Sequence, residues 1–229
     1  MENHLRGCRV MRGFLLLVLG MCVSAGALAA NPLVKMHTNL GDVVVELYPD
    51  KAPKTVANFL QYVKNGHYNG TIFHRTINKF IIQGGGFTAD FQYRPTLDPV
   101  PNEAANGLRN ERGALAMART YDPDSATAQF FINLDDNKFL NFLHPHPDYY
   151  GYCVFGKVIR GMDVARQIGA LPTAAGGPFD ADVPVQPVII EEMALATDAV
   201  ADGAKTANMA VSTKPGNKTP KSKKEKIHG

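Results

Sequence analysis

A chain of 229 residues, 45% hydrophobic and 20% charged and without tryptophan, has room for one sizeable core, and its composition excludes repeat arrays and coiled coils. The formal charge of +3 is unevenly spread: residues 1–29 carry +2 and residues 205–229 carry +6, which leaves −5 on the body between them. An acidic body argues against nucleic acid as a partner, because phosphate binding needs Lys and Arg clustered on the folded surface.

In chain order, residues 1–29 come first and stand apart. Arg6, Arg9 and Arg12 precede an apolar run from Phe14 to Val23, and the small residues of Ala27-Leu28-Ala29 follow. A basic head, an apolar stretch too short for a stable anchor and a small-residue cleavage site make a secretory signal peptide. The mature chain is expected to begin near Ala30. Cys8 and Cys22 leave with the peptide, so Cys153 would be the one remaining thiol and no intrachain disulfide could form. Its place in the apolar run YCVFGKV predicts a buried, inert thiol.

Val34, Met36 and Thr38, then Val43, Val45 and Leu47, alternate with polar residues on either side of Asn39-Leu40-Gly41-Asp42, which predicts a β-hairpin. Pro53 stands where a helix would begin, and Val56, Phe59, Leu60 and Val63 share one helical face before Gly66. Two short strands are predicted next, Ile72–Ile77 and Phe80–Gln83. Residues 84–112, with Pro95, Pro99 and Pro101, predict a long irregular loop. Ala114–Ala118, Ala128–Leu134 and Tyr152–Ile159 have strand character, Gly161–Ile168 has helical spacing, and Val188–Leu195 supplies a last strand. Many short strands with two helices imply a mainly β chain closed into an antiparallel barrel, since closure removes exposed edges. The domain is expected to span residues 30–197. Residues 198–229 are rich in Ala, Thr, Lys, Pro and Gly without apolar periodicity, and are expected to form a disordered basic tail.

Within the body, FHRTINKFIIQGGGF at 73–87 places a single arginine, Arg75, among apolar residues and ends in Gly84, Gly85 and Gly86. A guanidinium keeps its charge and presents a rigid fork of donors, so one arginine in such a run points to work beyond packing. Strand alternation puts Phe73, Arg75 and Ile77 on one face, Ile81 and Gln83 on another, and Gln129 and Phe131 on a third, with Phe130 and Ile132 turned into the core. Where such faces adjoin they make an apolar pocket with few polar groups, the usual anatomy of a specific binding site. No Ser or Cys nucleophile stands beside a histidine, and no glycine loop opens a helix to cradle phosphate. His74 is expected to be structural. His144 and His146, flanking Pro145 and followed by Asp148, are a weak metal signal, and neither metal nor cofactor is expected.

The runs FHRTINKFIIQGGGF, GALAMART, SATAQFFINL and YCVFGKVIRGMDV resemble, in order and approximate spacing, those of the cyclophilins, a family of peptidyl-prolyl cis-trans isomerases. The resemblance covers about residues 33–195 and, with the signal peptide, is to the bacterial periplasmic type. It implies a barrel of about eight antiparallel strands with a helix at each open end. It also implies a periplasmic enzyme that speeds X–Pro rotation in exported, folding proteins. Arg75 would then be the catalytic residue, with Phe80, Ile81, Phe131 and Leu140 forming the pocket for the proline ring. Gln83 would orient Arg75 and touch substrate, while the backbone at Ala118 and Arg119, with Gln129, would hold the flanking peptide. Phe139 stands where many members carry tryptophan, which implies weak cyclosporin binding. Tyr152, where others carry histidine, would close the pocket. NFLHPHPDYY, between Leu140 and Gly151, is longer than the tight turn of small members. The partners implied are proline-containing unfolded or exposed polypeptide segments, met by a monomer. A proline-peptide binding module or chaperone without turnover is the alternative, and Arg75 favours the enzyme because a pure binder could rely on the apolar pocket alone.

Overall fold

The computed structural model describes residues 30–196; the expected signal peptide at 1–29 and basic tail at 198–229 lie outside them. The first strands, β1 (Leu33–Thr38) and β2 (Gly41–Leu47), form the predicted hairpin, with Val34, Met36, Val43, Val45 and Leu47 fully buried. Helix α1 (Pro53–Lys64) follows. Its proline occupies the first turn, where a missing N–H is no loss. Ala52 offers no capping side chain; instead the carboxylate of distant Glu103 accepts from the backbone N–H groups of Lys54 at 3.2 Å and Thr55 at 2.8 Å. The apolar face of α1 carries Phe59 into the core against Tyr68, Phe130 and Phe155, with ring centroids 5.1–5.8 Å apart. Truncating such a buried ring to alanine costs about 3–5 kcal/mol.

Strands β3 (Thr71–Ile77), β4 (Ile81–Thr88), β5 (Ala114–Met117), β6 (Phe130–Asn133) and β7 (Val154–Arg160) come next, then helix α2 (Met162–Gly169). The chain continues through β8 (Thr173–Gly176), β9 (Phe179–Pro184) and β10 (Ile189–Leu195). Eight strands close a barrel in the order β1-β10-β3-β4-β6-β5-β7-β2, and the pairings are antiparallel. This is the mainly β, eight-stranded barrel that the sequence implies. Both helices bury apolar residues in its core, Val56 and Phe59 from α1 and Ala165 and Ile168 from α2.

Three expectations need correction. The strand expected to stop at Gln83 runs on to Thr88 through all three glycines, so the irregular stretch begins later than residue 84. Glycine is depleted in strands generally, but here two positions demand it. Gly85 has φ +86, and a Cβ there would lie 2.8 Å from the Tyr68 ring; a Cβ on Gly86 would lie 2.7 Å from the Gln129 side chain. The second correction is an addition: β8 and β9 pair as a two-stranded hairpin outside the barrel, which the sequence reading left unassigned. Most of its residues are exposed or half-buried, so no apolar alternation marks it.

The third concerns β3. Phe73 and Arg75 do not share a face. Between them β3 advances two residues while β4 advances one, from Gly84 to Gln83, so an extra residue bulges in β3. Phe73 is buried in the barrel core against Phe130, whereas Arg75 is half-exposed on the outside.

Candidate active site

The bulge in β3 sets the site. It re-aims Arg75 away from the core side taken by Phe73 and places it opposite Gln83 of β4. Next to Gln83, β4 pairs with β6, and there Gln83 faces Phe131 and Ile81 faces Asn133. Arg75, Phe80, Ile81, Gln83, Ala118, Arg119, Phe131, Leu140 and Tyr152 line one pocket of about 130 Å³. That is well below the ~300 Å³ of the smallest drug-sized sites and on the scale of one side chain. Nine of the eleven residues singled out from the sequence therefore converge. The other two lie beside them. Gln129 accepts a hydrogen bond from the Gln83 amide at 3.0 Å and lines an adjoining cavity of about 270 Å³, shared with Gln83, Ala118 and Arg119. Phe139 stacks on Phe80 at 5.6 Å and is 74% exposed at the rim.

The pocket floor is an apolar cluster of Ile81, Ala114, Ala116, Phe131 and Val154, against which Phe80, Leu140 and Tyr152 pack. Tyr152 meets Phe131 edge-on with ring centroids 5.6 Å apart. Behind the floor lie three buried asparagines that the sequence reading did not single out. Asn133 donates to Asn110 at 3.1 Å, and Asn137 donates to Asn133 at 2.8 Å. Asn137 also donates to the Phe80 carbonyl, and Asn110 donates to the carbonyls of Leu140 and Tyr152. One side-chain network thus fixes the backbone of three pocket residues from separate segments. A buried amide is costly unless paired, and these are paired. The visible signal was Asn133 itself, a polar residue ending the apolar run FFIN.

Arg119 is committed to structure. Its guanidinium donates to the carbonyls of Gly151, Thr120, Tyr121 and Pro147 at 2.9–3.1 Å and lies 4.8 Å over the Tyr152 ring. It therefore ties the 141–151 segment, already read from the sequence as longer than a tight turn, to the pocket edge. In that segment the His144 ring packs at a tilt against Tyr149, centroids 4.5 Å apart, and His146 lies 3.5 Å from the Asp148 carboxylate. Among the described residues no three His, Cys, Asp or Glu side chains gather as metal ligands would.

Arg75 does not hydrogen-bond Gln83, whose amide goes to Gln129. Its ion pair among the described residues is with Asp182 of the β8–β9 hairpin, Nε to Oδ2 at 3.6 Å. Nothing in the sequence tied Asp182 to the site. His74, next to Arg75, is 2% exposed and stacks on Phe179 of the same hairpin. Burial pulls its pKa down from 6.5 to about 4; the Ile72 backbone opposes this and the charge of Arg75 adds to it. It is a neutral structural histidine, as expected. Cys153 is buried with Sγ 3.5 Å from the Thr55 hydroxyl, and burial pushes its pKa up to about 11 despite that hydroxyl. Such a thiol carries no nucleophile at neutral pH.

The pocket is small, with an apolar floor, and is edged by an arginine and a pair of amides. The family profile described as cyclophilin type peptidyl-prolyl cis-trans isomerase/CLD matches residues 33–195. The chain belongs to the cyclophilin family. A peptidyl-prolyl cis-trans isomerase of Acinetobacter baylyi is 56% identical over 171 residues, 75% of this chain and 88% of that one. Peptidyl-prolyl cis-trans isomerase B of Escherichia coli is 54% identical over 161 residues, 70% of this chain and 98% of that one. A solved structure of a Cryptosporidium parvum cyclophilin type isomerase, obtained in the presence of the dipeptide Ala-Pro, superposes with a TM-score of 0.58 at 29% identity, covering 72% of this chain and 99% of that one. The activity of this cyclophilin is peptidyl-prolyl cis-trans isomerisation.

Proposed function

We propose that Arg75 is the catalytic residue of this isomerase and that the 130 Å³ pocket holds the proline ring of an X–Pro peptide. Amide resonance sets a barrier of ~18–20 kcal/mol to rotation, so any group that favours the twisted amide over both planar forms accelerates exchange. As the amide twists, the prolyl nitrogen becomes pyramidal and recovers its lone pair. A guanidinium N–H beside it stabilises that lone pair and disfavours its return to conjugation. Phe80, Ile81, Phe131, Leu140 and Tyr152 hold the ring, so that one side of the bond is fixed while the other turns. Gln83 and Gln129, with the backbone at Ala118 and Arg119, hold the flanking peptide along the adjoining cavity. No step makes or breaks a bond to carbon.

The observation that carries this reading is the bulge in β3, which sets a guanidinium not committed to backbone carbonyls at the lip of a one-residue pocket. The clients we propose are exported chains whose X–Pro bonds otherwise exchange over tens of seconds or longer. The signal-like residues 1–29 support a periplasmic setting, and we read the working unit as a monomer with weak cyclosporin affinity because of Phe139. The test is NMR exchange spectroscopy on an X–Pro peptide. Arg75→Ala is expected to lower catalysed exchange by about tenfold or more with peptide binding largely kept. Equal exchange by the two proteins would remove Arg75 from the mechanism, and peptide binding without faster exchange in the unaltered protein would favour a pure binding module.

A further inference from the structure

Asp182 is a non-glycine residue at φ +65 in the middle of β9. L-residues other than glycine adopt that conformation at a cost, and asparagine and aspartate bear it best. The hairpin that carries it is seated against β3 by the residue beside Arg75: Phe179 stacks on His74, centroids 5.1 Å apart and 25° between planes, and meets Phe87 edge-on. Gly177 at the hairpin turn lies so close to the Phe91 ring that a Cβ would collide with it, and Val183 is buried. The carboxylate of Asp182 is thereby delivered to Nε of Arg75, at 3.6 Å. Gln83, directly opposite Arg75 in the ladder, gives its amide to Gln129 and leaves the guanidinium to this one carboxylate.

We propose that Asp182 is a positioning residue for Arg75: by holding the Nε edge of the guanidinium it leaves both Nη groups for the substrate amide and fixes the plane in which they point. The proposal rests on the reading of Arg75 as catalytic. At 3.6 Å the contact is an ion pair longer than a hydrogen bond, and because a guanidinium is a planar fork, a carboxylate drawn to one edge biases where the other two nitrogens point. Both partners are partly exposed, 42% and 38%, and an exposed pair adds little to folding stability. Its consequence therefore falls on orientation, where small misplacements of a reacting group are expensive. The β8–β9 hairpin, outside the barrel and apart from the pocket lining, becomes part of the working site.

The experiment uses the whole chain carrying Asp182→Asn or Asp182→Gly. Asparagine tolerates the backbone conformation and removes the charge; glycine removes the side chain and relieves the strain, so neither variant has a reason to unfold. Exchange rates at increasing concentrations of one X–Pro peptide separate kcat from KM, and the ¹⁵N-correlated Nε–H signal of Arg75 reports its partner. The expected result is kcat lower by about three- to tenfold in both variants with KM changed by less than about twofold. The Arg75 Nε–H signal should shift and exchange faster with solvent, while the urea midpoint stays put or rises in Asp182→Gly. Unchanged kcat in both variants, or an unmoved Arg75 signal, overturns the proposal. Arg75→Ala measured alongside separates the two failures. If it loses activity while the Asp182 variants do not, only the positioning role falls; if it keeps activity, the catalytic role and the positioning role fall together.

Discussion

His74 gives the sharpest quantitative prediction because its ring is buried, neutral and confined between Phe179 and Phe87 with Nδ1 lacking a partner. Its pKa is about 4 in the folded chain against 6.5 as the ordinary value. The unfolded chain therefore takes up the proton first as pH falls, and folding loses stability from about pH 6.5 downward until both states are protonated below about pH 4. Each tenfold difference in proton affinity between the two states is worth ~1.36 kcal/mol, so the full loss is about 3 kcal/mol, most of it expressed by about pH 4.5. Above pH 6.5 the contribution is flat. His74→Phe keeps the aromatic stack and removes the titrating group along with the unpartnered nitrogen. Urea unfolding at about pH 7 and about pH 4.5, for the unaltered protein and the variant, isolates the effect from that of every other acid in the chain. The expected outcome is that the variant loses about 2–3 kcal/mol less than the unaltered protein over that interval. Equal losses would mean that the imidazole reaches a proton and solvent without disturbing the hairpin, and the account of its burial would be wrong.

Asn133→Ala removes the centre of the asparagine network and leaves the Asn110 side-chain oxygen and the Ala114 carbonyl each short of a donor. It should cost about 2–4 kcal/mol in urea unfolding, with peptide affinity falling as the Phe80, Leu140 and Tyr152 backbones lose their common anchor. Arg119→Lys replaces a fork that reaches four carbonyls with a single ammonium. Hydrogen exchange should quicken across residues 143–151, and KM for an X–Pro peptide should rise by about three- to tenfold with kcat at saturation retained. Unaltered exchange in that segment would show that its own turns hold it.

The barrel strands were legible where buried residues alternate with more exposed ones, as Val34, Met36 and Thr38 do with Lys35 and His37, because alternation then records the fold directly. Most of the pocket lining was legible through the runs FHRTINKFIIQGGGF, GALAMART, SATAQFFINL and YCVFGKVIRGMDV, which carry a family resemblance. What stayed hidden depends on partners distant in the chain. The bulge that separates Phe73 from Arg75 exists only in the register of β3 against β4, so a strict two-residue period assigned them to one face. The β8–β9 hairpin is mostly exposed small and acidic residues, and no periodicity announces it. The glycine run read as a loop because glycine is rare in strands, yet its lack of side chains lets Tyr68 and Gln129 approach the backbone. Glu103, in the irregular stretch, caps a helix far from it in sequence.

The seam of the barrel joins its first and last strands, with Val34 opposite Leu195 and the Ala196 N–H donating to the Leu33 carbonyl at 2.8 Å. Until β10 is made, β1 and β3 each present a bare hydrogen-bonding edge, and the core between them has no wall. Closure of the barrel is thus tied to the arrival of β10. A chain that lacks it cannot close, because the contacts that seal the barrel span nearly the whole domain. A catalyst of slow steps in other chains is itself assembled by one of the slowest kinds of contact to form.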